Sequence, residues 1–148
     1  MAGIGNVFEH YIVDTSADVD LANDNTLNDD AYLIYPVAAS EDVHFDLYAF
    51  YIAIAGGIKA AMSGPAGFTS LNYSVNIESA GAVKVTSNVA QAWDVTAVDG
   101  AGQGLIKIHG HLHNGVNAGN LVFRWCQNVS HANLTTIYEG SSMRIIRY

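Results

Sequence analysis

The stretch VHFDLYAFYIAIA, residues 43–55, decides the fold because its side chains alternate in character with a period of two. One face of the resulting strand is purely apolar and carries Val43, Phe45, Leu47, Ala49 and Tyr51. The other face starts polar, becomes apolar towards its end, and carries His44, Asp46, Tyr48, Phe50 and Ile52. This pattern predicts a strand whose first face packs on the core and whose second face is exposed at its start and buried against another subunit at its end.

Similar alternation recurs along the whole chain, with Gly, Asn, Asp and Ser clusters between the apolar runs. The further segments are 6–13, 31–38, 57–63, 71–77, 82–86, 89–97, 104–113, 120–128, 134–138 and 141–148. No helical period, internal repeat, linker or heptad tract interrupts them. About ten strands therefore predict one all-β domain over residues 1–148, an antiparallel β-sandwich or jelly roll with residues 1–5 as a short N-terminal tail.

Charge and cysteine content exclude several classes of function. The first 58 residues contain ten acidic side chains and no Lys or Arg, and the rest contain four acidic and six basic ones. Without a basic stripe, neither nucleic acid nor an anionic membrane is an expected partner. The N-terminal residues lack a signal-peptide pattern, so we expect synthesis in the cytoplasm. The single Cys126 has no disulfide partner, and strand alternation places it on the outer or subunit-facing side of its strand.

Five segments carry a family resemblance. They are LANDNTLNDDAYL (21–33), PVAASEDVHFDLYAFY (36–51), IKAAMSGPAG (58–67), GLIKIHGHLHNGVNAGNLVFRWCQN (104–128) and YEGSSMRIIRY (138–148). In this order they resemble a small β-domain of tailed-bacteriophage virion proteins, similar to trimeric jelly rolls of the tumour necrosis factor type and found in head-decoration and fibre-tip proteins. The resemblance implies that Asp29 and Asp30 close a turn, that residues 64–67 form a turn, and that Trp125 is a core aromatic. Cys126 departs from the pattern, which usually has Ala there.

The leading hypothesis from this resemblance is a non-enzymatic structural protein on the virion surface. It would bind the assembled shell as a homotrimer that decorates or cements the capsid, with the major capsid protein as its partner. The predicted subunit interface consists of Phe50, Ile52, Ile54, Met143, Ile145 and Ile146. The alternative is a receptor-binding knob at a tail or head fibre tip, whose binding loops would include Phe68, Tyr73, Asn114 and Asn117. The absence of a fibre-shaft segment before the strand that starts near Asn6 favours decoration.

No motif of a catalytic site is present, so we predict no catalytic residues and no cofactor. An enzyme acting on envelope polymer would need clustered carboxylates that the sequence does not reveal. The acidic run 14–30 lacks the Gly and Glu of an EF-hand loop, which leaves either a looser Ca²⁺ site at Asp18, Asp20 and Asp24 or Asx-turns.

The segment IKIHGHLHNG (106–115) places three histidines at alternate positions of one strand. His109, His111 and His113 would share a face with Lys107, and the spacing of about 6.6–7 Å prevents the three from converging on one ion within a single chain. Around a threefold axis, one histidine from each subunit could form a ring that binds Zn²⁺ or Ni²⁺, or that repels itself when protonated. The alternative is a polar strand face without metal, and our prediction is that no metal is bound.

Overall fold

The computed structural model describes residues 9–79, 82–88, 96–98 and 100–147. Twelve strands and no helix occur in these ranges, which confirms the predicted all-β class. The strands are β1 (Glu9–Asp14), β2 (Val19–Leu21), β3 (Asn28–Val37), β4 (Asp42–Ala53), β5 (Ile58–Ser63), β6 (Ser70–Ser79), β7 (Ala82–Asn88), β8 (Thr96–Val98), β9 (Gly102–His113), β10 (Gly119–Cys126), β11 (Thr135–Ile137) and β12 (Ser142–Arg147). The predicted tail 1–5, the first residues of the predicted strand 6–13 and most of the predicted strand 89–97 lie outside the described residues.

The strands form two sheets in which every neighbouring pair is antiparallel. The large sheet has the order β1-β12-β4-β9-β6-β7, with β11 paired to the end of β4 and β2 paired to β11. The small sheet has the order β3-β10-β5-β8. From β3 to β6, and again from β8 to β10, the chain crosses between the sheets at each step, which gives a jelly-roll-like sandwich.

One hydrophobic core lies between the inner faces of the two sheets. The alternation in residues 43–55 is confirmed, because the five residues of its apolar face are all buried. Strand β4 supports this core from the middle of the large sheet, pairing with β9 along twelve residues from Asp42 opposite His113 to Ala53 opposite Gly102. Trp125 lies in the core as the resemblance implied.

A close approach of three strands explains the glycine in the middle of β9. A Cβ on Gly110 would lie 2.6 Å from the Phe45 ring, from the Tyr73 Cβ and from the Asn72 carbonyl oxygen. Only a residue without a side chain leaves the two aromatic rings room to pack on this part of the sheet.

An irregularity in β3 is held by a buried carboxylate. The register of β3 against β10 shifts between Ile34, opposite Val122, and Asp29, opposite Arg124. Within the shift, the buried Asp30 carboxylate accepts hydrogen bonds from two backbone N–H groups and from the Trp125 indole. The implied turn at Asp29 and Asp30 is therefore corrected: these residues belong to a strand, and the turn-like hydrogen bonds of Asp30 close a bulge inside it. The implied turn at 64–67 is confirmed, with Gly67 at a φ of 75°.

Candidate functional site

The outer face of the large sheet carries most of the residues that the sequence marked as functional. One end of this face is rich in titratable groups, and we call it the histidine–aspartate grid. The grid consists of Asp42, His44 and Asp46 on β4 and, directly opposite in the strand pairing, His113, His111 and His109 on β9. The predicted alternation of β9 is confirmed, because Ile106, Ile108 and Leu112 are buried on the core side.

Two of the grid's histidines are held by carboxylates. Nδ1 of His109 donates to Oδ1 of Asp46 over 2.5 Å, and Nδ1 of His113 donates to Oδ1 of Asp42 over 2.5 Å. An ionised carboxylate has no hydrogen to donate, so Nδ1 of each histidine carries the proton in these two hydrogen bonds. Asp46 also accepts from Arg144 at 2.5 Å. Burial acts to raise the pKa of Asp46, but the hydrogen bonds from His109 and Arg144 outweigh it and lower the pKa.

The central pair of the grid is formed by two imidazoles. The rings of His44 and His111 lie with their centroids 4.5 Å apart and their planes at 37°. Nε2 of His111 is 3.7 Å from Oδ1 of Asp42, which is too long for a hydrogen bond. Burial, and then the nearby imidazoles of His111 and His109, lower the pKa of His44, against the opposing effect of the two aspartates. The neutral form of His44 is therefore favoured in the folded protein.

In the described part of the chain, no three His, Cys, Asp or Glu side chains are grouped closely enough to hold a metal ion. His109 contacts Asp46, whereas His111 and His113 both approach Oδ1 of Asp42, at 3.7 and 2.5 Å. The predicted ring of histidines around a threefold axis concerns contacts between chains, and it stays a prediction.

The other end of the outer face is apolar and partly exposed. We call it the apolar end, and it consists of Tyr48, Phe50, Ile52, Ile54, Leu105, Leu134 and Tyr138. Phe50 is 47% exposed and Ile54 is 55% exposed. Two open depressions of about 390 and 400 Å³ flank Gln103, one lined by Phe50, Leu105 and Tyr138 and the other by Ile52 and Ile54.

The predicted subunit interface is only partly accessible. Phe50, Ile52 and Ile54 lie at the apolar end, as the alternation of β4 predicts. The prediction is wrong for Met143 and Ile145, which are completely buried in the core of this chain. Successive residues of β12 point to opposite faces, so of these three residues only Ile146 reaches the outer face, where it lies opposite His44.

The predicted binding loops are also corrected. Tyr73 is buried on the core face of β6, and Asn114 is buried with its side-chain amide donating to the carbonyl oxygens of Ala38 and Asn117. These two residues hold the fold together and present no side chain to a ligand. Phe68 packs against the core and stays partly buried, and Asn117 is exposed.

The acidic run uses its carboxylates in separate hydrogen bonds. Asp24 accepts from the backbone of Thr26 and from Asn28, each at 2.8 Å, in the Asx-turn that was the alternative to a Ca²⁺ site. Asp20 instead accepts from the hydroxyl of Thr136 in β11, and Asp18 accepts from the backbone N–H of Glu139, which follows β11.

Cys126 is completely buried, which corrects its predicted subunit-facing position. It does lie on the outer face of the small sheet, opposite Lys59 on β5, but it is covered there by other parts of the chain. Burial raises the pKa of its thiol.

Sequence reasoning missed the partners of the histidine strand. Asp42, His44 and Asp46 face it only because β4 and β9 pair in one particular register. The one available signal was the polar alternation at the start of β4, which gives the face of each residue but not its neighbour on the next strand.

The structure thus defines a jelly-roll-like β-sandwich whose large sheet presents a titratable and an apolar end on its outer face. No family, curated protein or solved structure matches this chain. No helix in the described residues is long and apolar enough to cross a membrane.

Proposed function

We propose that this protein is a non-enzymatic structural protein of a tailed-phage virion that assembles as a homotrimer and decorates the capsid. The observation that carries the proposal is the apolar end of the large sheet, an exposed cluster of aromatic and aliphatic side chains on an otherwise well-packed sandwich. A cluster of exposed apolar side chains of this kind marks an interface, whereas apolar residues exposed singly elsewhere, such as Val116 and Val129, need no such explanation.

The shape of the apolar end suits contact between copies of the chain. Phe50 and Tyr138 project beside the depressions that flank Gln103. In a threefold assembly, two different parts of the same surface are in contact, one from each neighbouring copy. Side chains that project from one copy must therefore fit depressions on the next, so a single surface needs both. A stable contact of this kind buries roughly 800 Å² on each partner.

The proposal extends to the shell through the resemblance in the sequence. A trimer that binds the assembled capsid and not the free capsid subunits stabilises the shell by mass action. The acidic character of the chain, with a net charge of −8, agrees with a protein partner and disfavours DNA.

Light scattering coupled to size-exclusion chromatography tests the oligomer. The wild-type protein at micromolar concentration should elute with three times the chain mass, and Phe50→Asp or Ile54→Asp should give monomers because each buries a charge in the interface. Val116→Asp is the matched control, since Val116 is 83% exposed in the loop after the opposite end of β9. A wild-type monomer, or a Val116→Asp variant that dissociates as fully as Phe50→Asp, would refute the interface.

Cryo-electron microscopy of the virion tests the location. Density for the sandwich at local threefold positions of the head would support decoration. Density only at a tail or fibre tip would refute decoration and favour the receptor-binding alternative, in which the exposed loop around Val116 and Asn117 contacts the host.

A further inference from the structure

We propose that His44 and His111 form a two-histidine binding site for a divalent transition metal ion, with Cu²⁺, Ni²⁺ and Zn²⁺ as the ligand class. The site lies within one chain, so the proposal does not depend on the trimer or on the virion. It assigns a role to the one pair of grid imidazoles that face each other directly across two strands.

The distance between the two rings fits ligation of one ion. An ion bound to two neighbouring imidazoles at about 2.0–2.1 Å, with an angle of about 90–110° between the bonds, places the two ring centroids about 4.5–5.2 Å apart. The observed 4.5 Å lies at the short end of this range. His44 and His111 thus need little movement to bind an ion together. Among the residues that the structure describes, no third ligand is grouped with them, so water fills the remaining coordination positions.

The charge around the pair favours a cation. Oδ1 of Asp42, which also accepts from Nδ1 of His113, lies 3.7 Å from Nε2 of His111, near enough to attract an ion by its charge or through a bound water. On the other side, Asp46 is already neutralised by Arg144 and does not compete for the ion.

The backbone around the pair is rigid, which lowers the cost of ordering the ligands. Both residues lie inside long strands in the middle of the large sheet, paired on both sides. His109 and His113 are each two residues from His111 along β9, about 6.6–7 Å away, and each is held by a carboxylate through Nδ1. Imidazole ligands select Cu²⁺, Ni²⁺ and Zn²⁺ over Ca²⁺ and Mg²⁺, and Cu²⁺ should bind most tightly.

Isothermal titration of the untagged protein with Cu²⁺ and Zn²⁺ at pH 7.5 tests the proposal, with Ca²⁺ as the negative control. We expect one bound ion per chain. His44→Asn and His111→Asn should each lower the metal affinity by more than about tenfold, because loss of a residue that only supports a metal ligand already lowers the affinity by about that much. His10→Asn is the matched control: His10 is exposed on the same sheet, with β12 between its strand and β4, and its loss should leave the affinity unchanged.

Thermal unfolding gives a second measurement. Metal at a hundred times its Kd should raise the wild-type Tm by about 5–10 °C, and this rise should disappear in both variants. Equal Tm values in EDTA would show that the variants fold normally. Wild-type affinity in His44→Asn or His111→Asn, or a loss of binding caused by His109→Asn or His113→Asn instead, would overturn the assignment.

Discussion

Replacing Asp30 by Ala should cost far more stability than replacing the adjacent Asp29. The Asp30 side chain is buried and accepts three hydrogen bonds, from the backbone N–H groups of Tyr32 and Leu33 at 2.9 Å each and from Nε1 of Trp125 at 3.0 Å. Asp30→Ala leaves three donors inside the protein without an acceptor. Each unpaired buried donor costs about 1–3 kcal/mol of stability. Part of this loss is offset because the variant no longer buries a carboxylate.

We therefore expect Asp30→Ala to lower the free energy of unfolding by about 3–5 kcal/mol, a large share of the roughly 5–15 kcal/mol typical of a domain. Asp29→Ala removes only an ion pair to Arg124 from a side chain that is 61% exposed, and should cost about 1 kcal/mol or less. The stability of Asp30→Asn should lie between those of the other two variants. Its amide keeps one accepting oxygen but turns an NH₂ group towards a donor.

Urea unfolding followed by tryptophan fluorescence measures all three variants against the wild type. We expect Asp30→Ala to be the least stable variant and Asp29→Ala to be close to the wild type in stability. If Asp30→Ala and Asp29→Ala lost equal stability, the three hydrogen bonds would not hold the bulge of β3 in the way described.

Three further outcomes are expected. Cys126 should react slowly with a thiol reagent at pH 8 in the native protein and rapidly in denaturant, because burial blocks access and raises the thiol pKa. The hydrogen bonds from Thr26 and Asn28, against a smaller effect of burial, lower the pKa of Asp24 below its usual 3.8. The stabilisation of the folded protein by ionised Asp24 is therefore present above about pH 4 and is lost as the pH falls through the folded-state pKa. The difference in stability between the wild type and Asp24→Ala should shrink in that range. Gly110→Ala should cost about 1–3 kcal/mol in urea unfolding, because the added Cβ meets a carbonyl oxygen and two aromatic side chains.

The alternation of residue types was enough to predict the fold class and the face of most strand residues. Residues 43–55 assign the core and outer faces of β4 correctly, and the histidine strand assigns those of β9. These predictions succeed because the side-chain period of a strand is fixed by its backbone geometry and is independent of the neighbouring strands.

Predictions that depended on tertiary neighbours failed for identifiable reasons. Met143 and Ile145 were grouped with Ile146 as interface residues, but a strand cannot direct adjacent residues to the same face. Asn114 lies in a turn-rich segment and was expected to be exposed, yet its amide bridges two backbone carbonyl groups and is buried. Composition alone cannot distinguish a solvated Asn from one that satisfies buried backbone groups.

The two ends of the outer face should act independently, and this can be measured. His44 and Phe50 are six residues apart on β4, which corresponds to about 20 Å along the strand. Substitutions more than about 7–10 Å apart with no shared partner usually add. In the double variant His44→Asn with Phe50→Asp, the metal-induced rise in Tm should therefore be as small as in His44→Asn alone. The same double variant should dissociate to the same extent as Phe50→Asp alone. If the Phe50→Asp variant instead lost metal binding, the ion would be held between chains at the threefold axis, as the histidine spacing first suggested, and the two-residue site within one chain would be wrong.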